Sequence, residues 1–141
     1  MSKVAVVYWT GSGNTAEMAE AVAEGAKGKS ADVNLTEVSG FAAGDVAEYD
    51  AIALGCPAMG AEQLEEGEFE PFFEECKGSL AGKKVALFGS YGWGDGEWMR
   101  SWEEECKEAG ITLSCESVMA NEAPDDDAKD ACRGLGAALA L

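Results

Sequence analysis

Val4-Ala5-Val6-Val7-Tyr8-Trp9-Thr10-Gly11-Ser12-Gly13-Asn14-Thr15 is an apolar run that ends in a glycine-containing turn, and helical periodicity begins near Ala16. A strand, a tight turn and a helix N-terminus in that order make an anion site. Successive backbone N–H groups converge there, and the helix dipole adds about half a positive charge. Thr10, Ser12, Asn14 and Thr15 interleave hydrogen-bonding side chains with Gly11 and Gly13, and no Lys or Arg stands between Lys3 and Lys27. The loop can therefore wrap a phosphate with hydroxyls, an amide and backbone N–H groups, but without a side-chain cation.

Outward from this turn, apolar runs alternate with helical stripes. Strands are expected over 3–9, 32–38, 51–54, 84–88 and 112–119. Met18, Val22 and Ala26 share one helical face, and Phe69, Phe72, Phe73, Cys76 and Leu80 share another. Trp98, Trp102, Cys106 and Ala109 form a third stripe, in which both tryptophans read as core. Ala128, Ala131, Cys132, Leu135 and Leu139 form a fourth, behind Asp125-Asp126-Asp127, whose charge suits a helix N-terminus. Between the second and third strands only Phe41, Val46 and Tyr49, around Gly40 and Gly44, suggest a helix. Strand–helix alternation with continuously apolar strands implies an α/β three-layer sandwich, a parallel sheet covered on both faces. Five strands in 141 residues fit one domain, 1–141, with strand order 2-1-3-4-5. In that order ligands bind beyond the carboxyl ends of the strands, beside the switch between strands 1 and 3.

The totals exclude several classes. A net charge of −17 argues against nucleic-acid binding, which needs a basic footprint. No apolar run approaches the ~20 residues of a membrane span, and residues 1–4 carry no signal-peptide pattern. Cys56, Cys76, Cys106, Cys115 and Cys132 are odd in number and widely spaced, with no Cys-x-x-Cys. They read as reduced, mostly buried thiols of a cytoplasmic protein, not as disulfides or an iron–sulfur site. The absence of His removes His-based metal sites and Ser-His or Cys-His catalysis. Neither a metal site nor a catalytic residue is expected. From 30 to 76 there is no Lys or Arg but twelve Asp or Glu, seven of them within 62–75. Such a run is either a solvated, self-repelling face or a steering surface for a basic protein partner.

The sheet order brings two further loops to the edge that carries the anion turn. One reads Cys56-Pro57-Ala58-Met59-Gly60-Ala61-Glu62. Met59 can lie against a ring face, Gly60 allows the following peptide to reorient, and Glu62 is an acceptor next in line. The other reads Ser90-Tyr91-Gly92-Trp93-Gly94-Asp95-Gly96, where glycines flank Trp93 and leave it to cover a planar ligand. A phosphate cradle, a Met–Gly turn and a glycine-flanked Trp on one edge describe a site for a phosphorylated planar aromatic.

These three motifs, with Asn121-Glu122-Ala123-Pro124 before the last helix, resemble the short-chain bacterial flavodoxins of clostridia and related anaerobes. The resemblance runs essentially end to end and implies a flavodoxin-like fold with non-covalently bound FMN. It places Thr10, Ser12, Asn14, Thr15 and Ser90, with the backbone amides of 11–15, around the FMN phosphate. It sets Met59 and Trp93 on the two faces of the isoalloxazine ring, with Pro57, Ala58, Gly60, Tyr91, Gly92 and Gly94 in the same loops. Glu62 would accept from the ring N3–H, and Asn121 would lie near the ribityl chain. The implied function is a low-potential one-electron carrier, in place of ferredoxin, between reductases and oxidoreductases with basic faces; a cytoplasmic monomer is expected. Ser12 stands where Thr is common in the family, and Ala61 where some relatives carry a polar residue.

Other readings are weaker. Gly11-x-Gly13-x-x-Ala16 fits a dinucleotide fingerprint, but 141 residues leave no substrate domain. A P-loop needs Lys before Thr15, a response regulator needs an acid where Leu54-Gly55-Cys56 stands, and a Cys phosphatase needs an Arg after Cys56. An FMN-dependent quinone or flavin reductase would share the same site and differ only in turning over a small substrate.

Overall fold

Five parallel strands cross the centre of the molecule in the order β2-β1-β3-β4-β5: β1 (Lys3–Tyr8), β2 (Asp32–Glu37), β3 (Ala51–Gly55), β4 (Lys84–Tyr91) and β5 (Val118–Asn121). The computed structural model describes residues 3–11, 13–29, 31–59, 64–92 and 96–140. Val6 lies between Leu35 and Ala53, Ala53 faces Ala86, and Phe88 faces Val118. Among the described residues four α-helices cover the sheet: α1 (Asn14–Lys27), α2 (Phe69–Cys76), α3 (Glu97–Glu108) and α4 (Asp126–Leu139).

Period-two alternation divides the strand side chains between two cores. Ala5, Val7, Ile52, Leu54, Val85 and Leu87 meet Phe69 and Phe73 of α2 and Trp98 and Trp102 of α3. Val4, Val6, Ala51, Ala53, Ala86 and Phe88 meet Met18 and Val22 of α1 and Cys132, Leu135 and Leu139 of α4. The Phe and Trp stripes of α2 and α3 are buried as their spacing predicts, Trp102 edge-on to Phe69 and Phe73. The α1–α4 contact is closer. A Cβ on Gly136 would stand 1.9 Å from the Val22 carbonyl oxygen. Glycine inside a helix costs about 1 kcal/mol relative to Ala; here it lets two backbones touch.

Several boundaries differ from the sequence reading. β4 runs on to Tyr91, three residues beyond the expected end, which carries Ser90 and Tyr91 to the carboxyl edge. β5 is shorter and later than 112–119. Leu113 makes an isolated bridge to Val85, the chain bends at Ser114-Cys115, and the ladder resumes at Val118. An edge strand is paired on one side only, so apolar alternation there does not enforce a continuous ladder. The β2–β3 connection holds no α-helix but two short 3₁₀ pieces, Val38–Gly40 and Ala43–Glu48. Gly40 and Gly44 weaken helix propagation, and Val38, Phe41 and Val46 alone of this segment's apolar groups are deeply buried. Ala131 of the α4 stripe faces solvent.

All five cysteines are free thiols, four buried and Cys115 half-buried. Burial pushes Cys56, Cys76, Cys106 and Cys132 up to about 12, so each stays neutral.

Candidate functional site

Beyond β1, β3, β4 and β5 the chain ends converge on a cleft of about 560 Å³, within the range of small-molecule sites. Hydrogen bonds continue the ladders past the strands and lock the loops together. Trp9 N–H donates to the Gly55 carbonyl (3.0 Å), Cys56 N–H to Phe88 (3.1 Å), Ala58 N–H to Ser90 (3.0 Å) and Glu122 N–H to Tyr91 (2.7 Å). Extensions of the sheet therefore hold the walls at these four points.

The polar wall comes from the β1–α1 turn. Gly13, at φ 96°, takes the left-handed conformation that swings the chain into α1, and its carbonyl accepts the first helical bond from Glu17 N–H (3.1 Å). Among the described residues no side chain caps α1, which leaves the N–H groups of its first turn for an anion. Thr10 Oγ1 accepts from Gly13 N–H (3.0 Å), which occupies one backbone donor of the turn but leaves the Thr10 hydroxyl proton for another acceptor. Thr15 and Ser90, 1% and 5% exposed, hold their hydroxyl oxygens 3.0 Å apart, and Ser90 N–H also donates to Thr15 Oγ1 (3.4 Å). The pair has two protons and one oxygen–oxygen contact. One proton must therefore point elsewhere, and both residues line the cleft.

The apolar wall is Trp9, Pro57, Ala58, Met59 and Tyr91. Behind it, buried Trp98 donates from Nε1 to the Cys56 carbonyl (3.1 Å) and packs on the Tyr91 ring, centroids 5.5 Å apart. No Lys or Arg lines the cleft among the described residues; Glu122 is its charged member.

Of the residues named from sequence, Thr10, Gly11, Asn14, Thr15, Pro57, Ala58, Met59, Ser90, Tyr91 and Gly92 share this one cleft. Gly13 shapes the turn without lining it. Asn121 ends β5 opposite Tyr91 and is exposed, and the next two residues, Glu122 and Ala123, supply the wall there. Ser12, Gly60, Glu62, Trp93 and Gly94 lie outside the described residues. Sequence reasoning missed Trp9, Glu122 and Ala123. Trp9 read as the last residue of a strand, whereas its indole lies over Gly11, where a Cβ would come within 3.1 Å of the ring. Glu122 holds φ 58°, a conformation that nothing in its residue type announces.

The acidic run also divides. Glu65 is not simply a surface charge: its carboxylate accepts from the N–H groups of Gly67 (2.7 Å), Glu68 (2.7 Å) and Phe69 (2.9 Å), closing the start of α2. Partial burial opposes its ionisation, but the three donors outweigh it and hold the carboxyl below the usual carboxylate range. Glu66, Glu68, Glu70, Glu74 and Glu75 remain exposed on that side. Lys77, the first cation after the run, is flanked by Glu74 (2.8 Å) and Glu105 (3.6 Å), so it does little to offset the local field.

Known proteins agree with this geometry. Residues 6–135 match the family model described as Flavodoxin. The chain is 45% identical over 137 residues to the flavodoxin of Megasphaera elsdenii, covering 97% of this chain and 98% of that one. It is 46% identical over 135 residues to the flavodoxin of Clostridium beijerinckii, covering 96% and 97%. The solution structure of two-electron reduced Megasphaera elsdenii flavodoxin superposes with a TM-score of 0.89, covering 97% of this chain and 98% of that one. Similarity of this extent, on a 2-1-3-4-5 sheet whose cleft opens at the carboxyl edge, leaves one conclusion: the chain belongs to the flavodoxin family, whose members are FMN-binding electron-transfer proteins and not enzymes.

Proposed function

We propose that the cleft holds FMN non-covalently, phosphate innermost, and that the protein passes single electrons between redox proteins with basic faces. The observation that carries the phosphate assignment is the buried Thr15–Ser90 hydroxyl pair, which keeps a proton to donate beside a helix N-terminus that no described side chain caps. Thr10 and Asn14 flank that point on the same wall. An uncharged ligand would gain little from such a cradle, whereas a phosphate dianion gains charge-assisted hydrogen bonds and the helix dipole. The remaining wall is apolar and aromatic and suits a flat ring, with Met59 and Tyr91 beside it. Ser12, Gly60, Glu62, Trp93 and Gly94 join the proposal from the sequence motifs alone.

Bound FMN supplies the redox chemistry, accepting and releasing electrons one at a time. The chain sets how willingly. Glu122 on the cleft, no described cation on its wall and a net charge of −17 all disfavour adding negative charge, which makes the loaded protein a strong reductant. No helix among the described residues is long and apolar enough to cross a membrane. Buried neutral thiols suit the reducing cytoplasm, and the net charge opposes self-association, which favours a monomer.

Apoprotein is expected to take up one FMN per chain, released intact on denaturation, and the loaded protein is expected to reduce quinones without saturation. Saturable quinone turnover at the ordinary enzyme scale of about 1–10³ s⁻¹ would make the protein a reductase instead.

A further inference from the structure

β5 is an outer strand, paired with β4 on one side and, among the described residues, with no strand on the other. Glu122 N–H donates to the Tyr91 carbonyl of β4 (2.7 Å), and along a strand every second residue turns its N–H and C=O to the same neighbour. Val118 and Ala120 therefore bond toward β4, while the N–H and C=O of Met119 and Asn121 point outward. Edge strands are commonly blunted by Lys, by Pro or by a covering segment. Val118-Met119-Ala120-Asn121 holds neither Lys nor Pro, and Met119 is 42% exposed.

Outside this edge a groove of about 590 Å³ runs between β5 and α4, lined among others by Glu116, Val118, Met119, Ala131, Gly134 and Leu135. None of these residues lines the cleft. Val118 and Leu135 belong to the core on the α4 side, so the groove is apolar there. On the α3 side Met119 covers Gly96, and the Ser117 hydroxyl donates to Glu103 (2.6 Å). The charge along this edge has one sign. Residues 108–128 hold six Asp or Glu and no Lys or Arg. Arg133, beside Gly134, is turned to Glu24 and Asp130, and Arg100 comes near Gly96 outside the groove lining.

We propose that this edge takes an extended segment of a partner protein, added to the sheet beside β5, in which apolar residues alternate with Lys or Arg. The outward N–H and C=O groups of Met119 and Asn121 supply the strand bonds, which give affinity without regard to sequence. Alternation sends the apolar side chains of the segment to the α4 side, against Val118, Ala131 and Leu135, and its cations toward Glu103. A second copy of this chain fits worse. Each copy carries −17, and its other edge strand, Asp-Val-Asn-Leu-Thr-Glu in β2, is itself acidic. β5 ends at Asn121, and the next residues, Glu122 and Ala123, line the cleft, so a segment added here brings its protein to the cleft's rim. The inference goes beyond the FMN reading and does not depend on it.

The test uses the full chain loaded with FMN and three end-blocked hexapeptides: Lys-Val-Lys-Val-Lys-Val, its block isomer Lys-Lys-Lys-Val-Val-Val, and Glu-Val-Glu-Val-Glu-Val. With the alternating basic peptide at saturation, amide exchange followed by NMR is expected to slow about tenfold or more at Met119 and Asn121, with Ala5 and Val6 of β1 unchanged. The block isomer carries the same charge and should bind about tenfold or more weakly; the acidic peptide should not bind. Gly134→Lys and Gly78→Lys add one charge each at exposed positions where a Cβ meets nothing within 4 Å. Gly134 lines the groove, whereas Gly78 follows α2 on the other face of the sheet. The first should weaken the alternating peptide about threefold or more, and the second should leave it within about twofold. Equal binding of the two basic isomers, equal losses in the two variants, or unprotected amides at Met119 and Asn121 would overturn the proposal. So would protection that appears without peptide as protein concentration rises, with a doubled mass in sedimentation, because a second copy would then be the occupant. FMN uptake is scored by its own titration, and a chain that failed there would still give the peptide result, since the groove and the cleft share no residue.

Discussion

Riboflavin, which lacks only the phosphate of FMN, is expected to bind the apoprotein at least a hundredfold more weakly than FMN. On the proposed reading the phosphate would meet the Thr10 hydroxyl, the second proton of the Thr15–Ser90 pair and the α1 amides that no described side chain caps. Hydrogen bonds to a charged group contribute about 1.5–3 kcal/mol each. Two of them acting together give ~3–6 kcal/mol, or about two to four powers of ten in affinity. Thr15→Ala should weaken FMN about tenfold or more and leave riboflavin nearly unmoved, because on the proposed reading the phosphate is the one part of the ligand that this hydroxyl would meet. Fluorescence titration of apoprotein with both ligands, in wild type and variant, gives the four affinities of a thermodynamic cycle. Equal affinities for the two ligands in wild type would remove the phosphate from the cradle.

Electron delivery by a basic-faced reductase should slow about tenfold or more between ~0.01 and ~0.3 M salt. Over that range screening shortens from about 30 Å to less than 8 Å, and steered association falls with it. Reversing Glu66, Glu68 and Glu70 to Lys changes the net charge by three times two, from −17 to −11, and removes negative charge at the start of α2. At low salt this variant should reproduce most of the slowing. Glu65 must stay, because its carboxylate closes the start of α2 and its loss would confound docking with unfolding. Stopped-flow rates of the triple variant equal to wild type at low salt would make this face merely solvating.

Much of the molecule is legible in the chain because burial leaves a periodic trace. The Phe69-Phe72-Phe73-Cys76 stripe needs no tertiary information to be assigned, and Trp98 and Trp102 fall on one helix face as core residues do. Two of the cleft's loops stand out in the sequence for a different reason: hydroxyls beside glycines, and aromatics beside glycines, have little use in a packed core. What escaped has no local signature. The break before β5 depends on the edge position of that strand, which only the assembled sheet defines. Glu65 is no conventional cap: it lies four residues before α2 and reaches forward to three amides, where Ser, Thr, Asp or Asn at the cap itself would have been recognisable. Trp9 belongs to the cleft only because the turn at Gly13 folds Gly11 back beneath its ring. Glu122 is held at positive φ by the strand end it follows, with its N–H on the Tyr91 carbonyl, not by its own preference.

A carrier of single electrons differs from a two-electron flavoenzyme in how its cofactor is emptied and filled. Anaerobic titration of the FMN-loaded protein with a graded reductant, followed by absorbance, reads this directly. Two resolved stages of one electron each, with an intermediate spectrum that dominates midway, are the expected result. A single bleach consuming two electrons, with no intermediate spectrum at any point, would contradict one-electron transfer by this chain.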